Sequence, residues 1–129
     1  MSMDGSAISV RKTVAEAVAS QLPHGKPALS ATATALDLNV RTLQRRLARA
    51  GTSFKQIVEA IRWVEATRLI GSDEMSIAQV AASLGYSDPA HFTRAFHRWT
   101  GKAPIAARRA ARRARDRLQR SGDWTATTP

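Results

Sequence analysis

Two stretches of this chain carry the same residue pattern at a separation of forty-nine positions (43 to 92). Leu43 and Leu47 lie four apart in TLQRRLARAG, and Phe92 and Phe96 lie four apart in HFTRAFHRWTG, with arginines at equivalent positions around each pair. Apolar residues four apart face the same side of an α-helix. The pattern therefore predicts one short basic helix that is made twice and is anchored each time through a single apolar side.

Local signals for helix ends surround both stretches. Asn39 and Ser76 are suited to cap helix starts, and Pro89 is suited to the first position of a helix. Gly51 and Gly101 predict helix ends. Strand-like alternation is absent from the sequence, so the predicted fold is all-α, with about seven helices. The first of these is expected to begin at a Ser9 cap, and the last to open at Pro104.

Each basic helix follows a shorter helix and a tight turn, which is the order of a helix-turn-helix motif. Leu36 and Leu43 are seven apart across the first turn, and Leu84 and Phe92 are eight apart across the second. In such motifs the second helix enters the major groove of DNA. The charge agrees, since 20 basic residues against 10 acidic residues give a net charge of +10 and favour a polyanionic partner.

The residues that point away from the apolar pairs have the side chains that read DNA. Arginine pairs with guanine and glutamine with adenine through two hydrogen bonds, whereas contacts to phosphate position the protein without reading sequence. The predicted base-reading residues are Arg41, Gln44 and Arg45 in the first helix and His91, Thr93 and Arg94 in the second. The predicted phosphate-contacting residues are Arg46, Arg49, His97 and Arg98.

A longer helix, expected at about residues 53–70, separates the two motifs. Its eighteen residues span about 27 Å at 1.5 Å each. With the packing of each motif against its ends added, the two basic helices could lie roughly 34 Å apart, one turn of DNA. One chain could then read two successive grooves without forming a dimer. Its predicted apolar stripe comprises Phe54, Ile57, Val58, Ile61 and Val64. Trp63 and Trp99 are also expected in the core, and Trp124 is expected to be disordered.

The segments LNVRTLQRRLARAGTSFKQIVEAIRW and SIAQVAASLGYSDPAHFTRAFHRWTGKAP resemble the DNA-binding domain of AraC/XylS-type bacterial transcription regulators. The resemblance covers about residues 8–108 and places the six predicted base-reading residues on the family's base-reading positions. It also implies contact with RNA polymerase, and most members carry a sensor domain before this one. Thr32 stands where the family usually has a branched aliphatic residue, which predicts a looser first motif.

The expected organisation is a disordered segment (1–7), a double helix-turn-helix domain (8–108; motif one about 29–50, motif two about 76–100) and an arginine-rich tail (109–129). Arginines four apart between Arg108 and Arg120 repel one another, so the tail either orders along DNA or stays frayed and solvated. Without cysteine, paired carboxylates or a phosphate-binding glycine loop, the sequence predicts neither an enzyme nor a metal or cofactor site.

The predicted function is that of a sequence-specific DNA-binding transcription regulator. Its domain is expected to bind double-stranded DNA as a monomer, to have no membrane association, and to lie in the cytoplasm with the nucleoid. Two alternatives stay open on the sequence. One is a non-specific nucleic-acid binder that acts through its basic surface and tail. The other is a partner-binding helical domain that would keep its function when Arg45 is removed.

Overall fold

The computed structural model describes the backbone of residues 2–126 and the side chains of residues 10–120. Within that range every regular element is a helix, and no strand occurs. The α-helices are α1 (Ser2–Gln21), α2 (Leu29–Ala35), α3 (Val40–Arg49), α4 (Phe54–Ser72), α5 (Ile77–Ser83), α6 (Pro89–Thr100) and α7 (Pro104–Ala126). A short 3₁₀ turn, Leu22–His24, follows α1. The all-α prediction of two helix-turn-helix units joined by a long helix is confirmed.

Short polar side chains begin the helices that carry the two motifs, as the sequence predicts. The Asn39 side chain accepts a hydrogen bond from the Thr42 amide at 2.8 Å at the start of α3. Ser76 and Gln79 form a reciprocal capping box at the start of α5. These contacts satisfy amides that have no partner inside the helix, so each start is fixed by its local sequence.

The two turns share one hydrogen-bonding scheme. After α2, the Leu38 amide donates to the Ala33 carbonyl at 2.9 Å, and after α5 the Tyr86 amide donates to the Ala81 carbonyl at 3.1 Å. This is the Schellman arrangement, which requires a left-handed residue just past the helix. Asp37 (φ 61°) and Gly85 (φ 87°) fill that position. The second turn is one residue longer, which explains the eight-residue spacing found in the sequence.

Two apolar clusters form the core, one for each motif. Cluster one packs α1, α2, α3 and the first half of α4, and it includes Val14, Leu43 and Leu47. Cluster two packs the second half of α4 against α5 and α6, with Ala107 of α7 against it, and it includes Phe92 and Phe96. Ile61, near the middle of α4, packs against both clusters. The linking helix is thus a structural part of both motifs.

The continuous apolar stripe predicted for α4 is wrong in its second half. Val64 is 57% exposed and Trp63 is 48% exposed. The buried residues pass instead from Ile57 in the first half to Ala66 and Ile70 in the second. Because the two clusters pack on different faces of α4, no single stripe runs its whole length. Val64 and Trp63 were both expected in the core, and both are instead exposed.

Trp99 agrees better with its prediction, because it is half-buried against cluster two. The side chain of Trp124 lies outside those that the structure describes.

Thr32 is fully buried in motif one. Its hydroxyl donates to the Ala28 carbonyl at 2.9 Å and accepts from the Gln21 side chain at 2.7 Å. Both hydrogen bonds offset the cost of burying a hydroxyl, so no polar atom of this side chain is left unsatisfied.

Two predicted boundaries differ from the structure. Helix α1 begins at Ser2, whereas residues 1–7 were expected to be disordered and the helix to start at Ser9. The first residues have no apolar periodicity, so the residue pattern contains no sign of a helix there. Helix α7 runs without a break across the expected boundary between residues 108 and 109. Residues 109–126 therefore continue the helix that begins at Pro104.

The loop after α1 connects the two motifs a second time. Leu22 belongs to cluster two, although the helix before it belongs to cluster one. A β-carbon placed on Gly85 would collide with the carbonyl group of Gly25, so the loop backbone lies directly against the turn of motif two. These contacts, together with α4, set the position of one motif relative to the other.

Candidate nucleic-acid interface

Helix α3 is held through one side. Leu43 and Leu47 are buried at 0% and 1% exposure, and both belong to cluster one. The helix ends in a left-handed glycine, Gly51, at φ 81°. With both ends and the apolar side fixed, the opposite side has a defined position in space. This is the arrangement that a recognition helix needs.

Five long polar side chains occupy the rest of α3. All five are exposed, and none makes a hydrogen bond or an ion pair with the part of the chain that the structure describes. They are Arg41, Gln44, Arg45, Arg46 and Arg49. Four unneutralised guanidinium groups on one ten-residue helix form a strongly positive surface. Its donors are free to bind an acceptor from another molecule.

Helix α6 repeats this arrangement with aromatic anchors. Phe92 and Phe96 are buried at 0% and 2% exposure, and their ring centres lie 5.8 Å apart. Asp88 caps the helix by accepting from the Ala90 amide at 2.9 Å, and Pro89 takes the first helical position. The helix packs against α4, α5 and α7.

The predicted site residues of α6 are likewise exposed and make no hydrogen bond or ion pair among the described side chains. They are His91, Thr93, Arg94, His97 and Arg98. The two helices differ at one point of the repeat. The forty-nine-residue offset places Ala95, which is buried at 4% exposure, where α3 has the exposed Arg46. The free face of α6 is therefore narrower than that of α3.

Other arginines have a different role, which sequence reasoning did not detect. Arg62 donates to the Leu84 carbonyl at 2.9 Å and lies 4.2 Å from the centre of the Tyr86 ring. Arg11 donates to the Ala50 carbonyl at 3.0 Å. Each arginine satisfies carbonyl groups at the C-terminal end of a helix, where the partial charge is negative. These cations stabilise the motifs, and their donors are already engaged within the chain, unlike those of the arginines on α3 and α6.

A polar cleft of about 460 Å³ lies beside the start of α6. It is lined by Lys26, Arg62 and His91 among others, and the Tyr86 ring forms part of its wall. Burial of that ring raises the pKa of the phenol, and the nearby Arg62 opposes the rise. Lys26 comes from the loop after α1, far from α6 in sequence. No local sequence signal could have placed this exposed cation beside the second basic helix.

The described residues contain no group of three or more His, Cys, Asp or Glu side chains placed to hold a metal ion. No helix among them has both the length and the apolar character to cross a membrane.

Known proteins share this architecture. Residues 32–110 match the family described as a helix-turn-helix domain. The HTH-type transcriptional regulator VqsM of Pseudomonas aeruginosa is 39% identical over 82 residues, which are 64% of this chain and 25% of that protein. The ornithine utilization regulator of the same organism is 33% identical over 88 residues, 68% of this chain and 26% of that protein. The chain thus spans about a quarter of the length of these curated relatives.

Solved structures give the same result. A DNA-binding transcriptional dual regulator from Escherichia coli K-12 matches with a TM-score of 0.75 at 25% identity, over 81% of this chain and 93% of that one. The DNA-binding domain of the global transcriptional factor AdpA, solved in complex with a target DNA, matches with a TM-score of 0.65 at 28% identity, over 80% and 96%.

The fold and its two exposed basic faces define a double helix-turn-helix domain. The chain belongs to the AraC-type helix-turn-helix family of transcription regulators, and the resemblance seen in its sequence is confirmed.

Proposed function

We propose that this chain is a sequence-specific DNA-binding domain of a transcription regulator, and that it places α3 and α6 in adjacent major grooves. One observation carries the proposal. Both helices are fixed by a buried apolar pair, and every predicted contact residue on them is exposed and makes no polar contact within the described part of the protein. The similar DNA-binding domain of AdpA, which was solved in complex with a target DNA, supports the binding of double-stranded DNA by this fold.

The chemistry of the exposed groups assigns their roles. In α3, the forked guanidinium groups of Arg41 and Arg45 suit the two acceptors of guanine, and the Gln44 amide suits adenine. In α6, His91, Thr93 and Arg94 take the corresponding role. Contacts to the phosphate backbone would come from Arg46, Arg49, His97 and Arg98, and they would supply much of the affinity and its salt dependence.

The same architecture supports binding by a single chain. Helix α4 has 19 residues, a length of about 28 Å at 1.5 Å per residue. It is packed into the cores of both motifs, so it holds the two basic helices in position relative to each other together with the loop after α1. A single domain then suffices for an asymmetric site in which each half has its own sequence. Contact with RNA polymerase, which the family resemblance implies, would be a property of the whole regulator, and it is part of this proposal.

Selection of binding sites from random duplexes tests the base-reading roles. The Gln44→Ala and Arg94→Ala variants should each lose about 1–3 kcal/mol on the preferred site and lose base preference at one position. The Arg49→Ala variant is the matched control, because removal of a phosphate-binding group should weaken binding equally on all sequences. If both test variants kept the wild-type preference at every position, the assignment would be wrong.

A non-specific binder is the second candidate, and the high positive charge favours it. Competition separates the two functions. An excess of unrelated duplex should leave most of the selected site bound if the proposal is right. Equal displacement by the selected and the unrelated duplex would support the non-specific function.

A further inference from the structure

Helix α7 sorts its arginines onto two faces. The face toward α4 holds Arg108, Arg112 and Arg115, spaced four and three residues apart. Arg108 is 5% exposed and donates to the Ile70 carbonyl at 3.1 Å. Arg112 donates to both carboxylate oxygens of Asp73, at 2.5 and 2.9 Å. We call these three arginines the anchoring face, since they bind the C-terminal end of the linking helix.

Asp73 is the centre of this attachment. It is the left-handed residue that ends α4, with φ 63°, and it forms ion pairs with all three arginines of the anchoring face. Arg115 also donates to the Gly71 carbonyl. Because these bonds tie α7 to both the carboxylate and the free carbonyl groups of α4, the direction of α7 is fixed at least as far as Arg115.

The remaining arginines of the described part of α7 form what we call the free stripe. Its members are Arg109, Arg113, Arg117 and Arg120. At about 100° per residue they fall within an arc of about 80°, turned well away from the anchoring face. All four are exposed, and they make no ion pair or hydrogen bond within residues 10–120. Asp116 lies at the edge of the stripe and pairs with none of them, so the stripe keeps a net charge of about +3.

Such a stripe is suited to a row of phosphates. It extends over about 16 Å at 1.5 Å per residue, and arginine binds phosphate oxygens through two parallel hydrogen bonds. Arginines four apart repel one another on a helix, and a polyanion would remove that repulsion. The stripe also has a fixed place beside motif two, because Ala107 packs against cluster two.

An anionic membrane surface fits these observations less well. Helices that lie on membranes need a broad apolar face opposite their basic face. On the described part of α7 the exposed large apolar residues are Ile105 and Leu118. They are thirteen positions apart and form no continuous face.

We infer that α7 is a third DNA-binding element, which binds the phosphate backbone beside the operator through the free stripe while Asp73 holds the helix in place. The inference rests on the proposed function and deepens it. In this inference α3 and α6 contact the bases, and α7 contacts the phosphate backbone. The stripe adds affinity and salt dependence to binding of any duplex, and it adds no base preference.

The test replaces Arg109, Arg113, Arg117 and Arg120 together by glutamine, which keeps the helix propensity and removes the charge. Affinity is measured across a range of salt on the selected site and on an unrelated duplex. The slope of log K against log salt should fall by about 0.9 for each phosphate that the variant no longer neutralises. We expect the variant to neutralise roughly two to four fewer phosphates on both duplexes, with an unchanged selected sequence and an unchanged circular dichroism spectrum.

A charge-matched control replaces four exposed cations outside the candidate interface and the free stripe, Lys12, Lys55, Arg68 and Lys102, by glutamine. If its slope falls as much as that of the stripe variant, total charge explains the effect and the inference is overturned. An unchanged slope in the stripe variant overturns it too, and stripe-dependent binding to phosphatidylserine vesicles would then assign the stripe to membranes. Failure of the wild type to select any sequence would refute the proposed function alone, because the slope on unrelated duplex is measured independently.

Discussion

At the residue scale, the arginines of this chain have two distinct roles. Arg11, Arg62 and Arg108 donate to carbonyl groups at helix ends, whereas those on α3 and α6 have no polar partner within the described residues. The sequence predicted that the arginines of α3 and α6 would face outward, because apolar residues four apart define which side of a helix is buried. It could not predict the first role, since each carbonyl partner lies 22 to 39 residues away in the chain. Sequence periodicity contains no information on such distant contacts.

This division predicts opposite effects for two arginine substitutions. Arg62→Ala should lower the free energy of unfolding by about 1–3 kcal/mol, because the carbonyl group of Leu84 loses a charged donor and the Tyr86 ring loses its cation. Arg45→Ala should change stability by less than about 0.5 kcal/mol, yet it should weaken DNA binding. Urea denaturation and a DNA-binding assay on both variants check this. Equal stability of the two variants would contradict the structural role of Arg62.

Two glycines provide a matched pair for backbone strain. Gly85 and Gly101 both have positive φ, but a β-carbon meets the Gly25 carbonyl group at the first position and open space at the second. Gly101→Ala should therefore cost about 1–2 kcal/mol of stability from the left-handed conformation alone. Gly85→Ala should cost about 1–3 kcal/mol more, because the loop must also move. Similar unfolding free energies in urea would show that the packing of the loop against the turn is unimportant.

At the element scale, local signals determined most helix ends, and tertiary packing determined what the sequence missed. The caps Asn39 and Ser76 lie where they were predicted, because a cap is satisfied within its own helix turn. The prediction of a single apolar stripe on α4 was wrong at Val64, because the two apolar clusters pack against different faces of this helix. The sequence did not predict the attachment of α7 to Asp73. Arginines four apart repel one another within α7, and the carboxylate that neutralises this charge lies 39 residues before Arg112 in the chain.

Attachment of α7 should depend on pH through Asp73. The hydrogen bond from Arg112 holds the pKa of that carboxyl group below its ordinary value of 3.8. A lowered pKa in the folded state stabilises the fold fully above the ordinary pKa, and this stabilisation is lost as pH falls through the lower one. Above about pH 5, wild type should therefore exceed Asp73→Asn in stability by a constant amount, and the difference should vanish in acid.

Urea denaturation from neutral to acidic pH measures that difference. Asparagine is a suitable control because it also tolerates the left-handed conformation, and the other carboxyl groups are common to both proteins. A difference that stayed constant down to the lowest pH, or that was absent at neutral pH, would contradict the role of Asp73.

At the scale of the whole molecule, one helix and one loop connect two copies of the same motif. Helix α4 contributes to both clusters, and Leu22 with Gly25 adds the second connection. The repeat at forty-nine residues made the double motif predictable from sequence, and the structure confirms it with α2 and α3, and α5 and α6, on either side of α4. The cleft beside His91, by contrast, depends on a loop that is distant in sequence. A rigid pair of basic helices on one chain is suited to a site that covers two successive grooves.

The central claim is that one chain reads two major grooves through α3 and α6. Hydroxyl-radical footprinting on the selected site, with the stoichiometry of the complex measured in parallel, tests it most directly. We predict protection of two regions about one helical turn, roughly 34 Å, apart on one face of the duplex, with one protein chain per site. Protection of a single groove, or binding only as a dimer at every concentration, would contradict the claim.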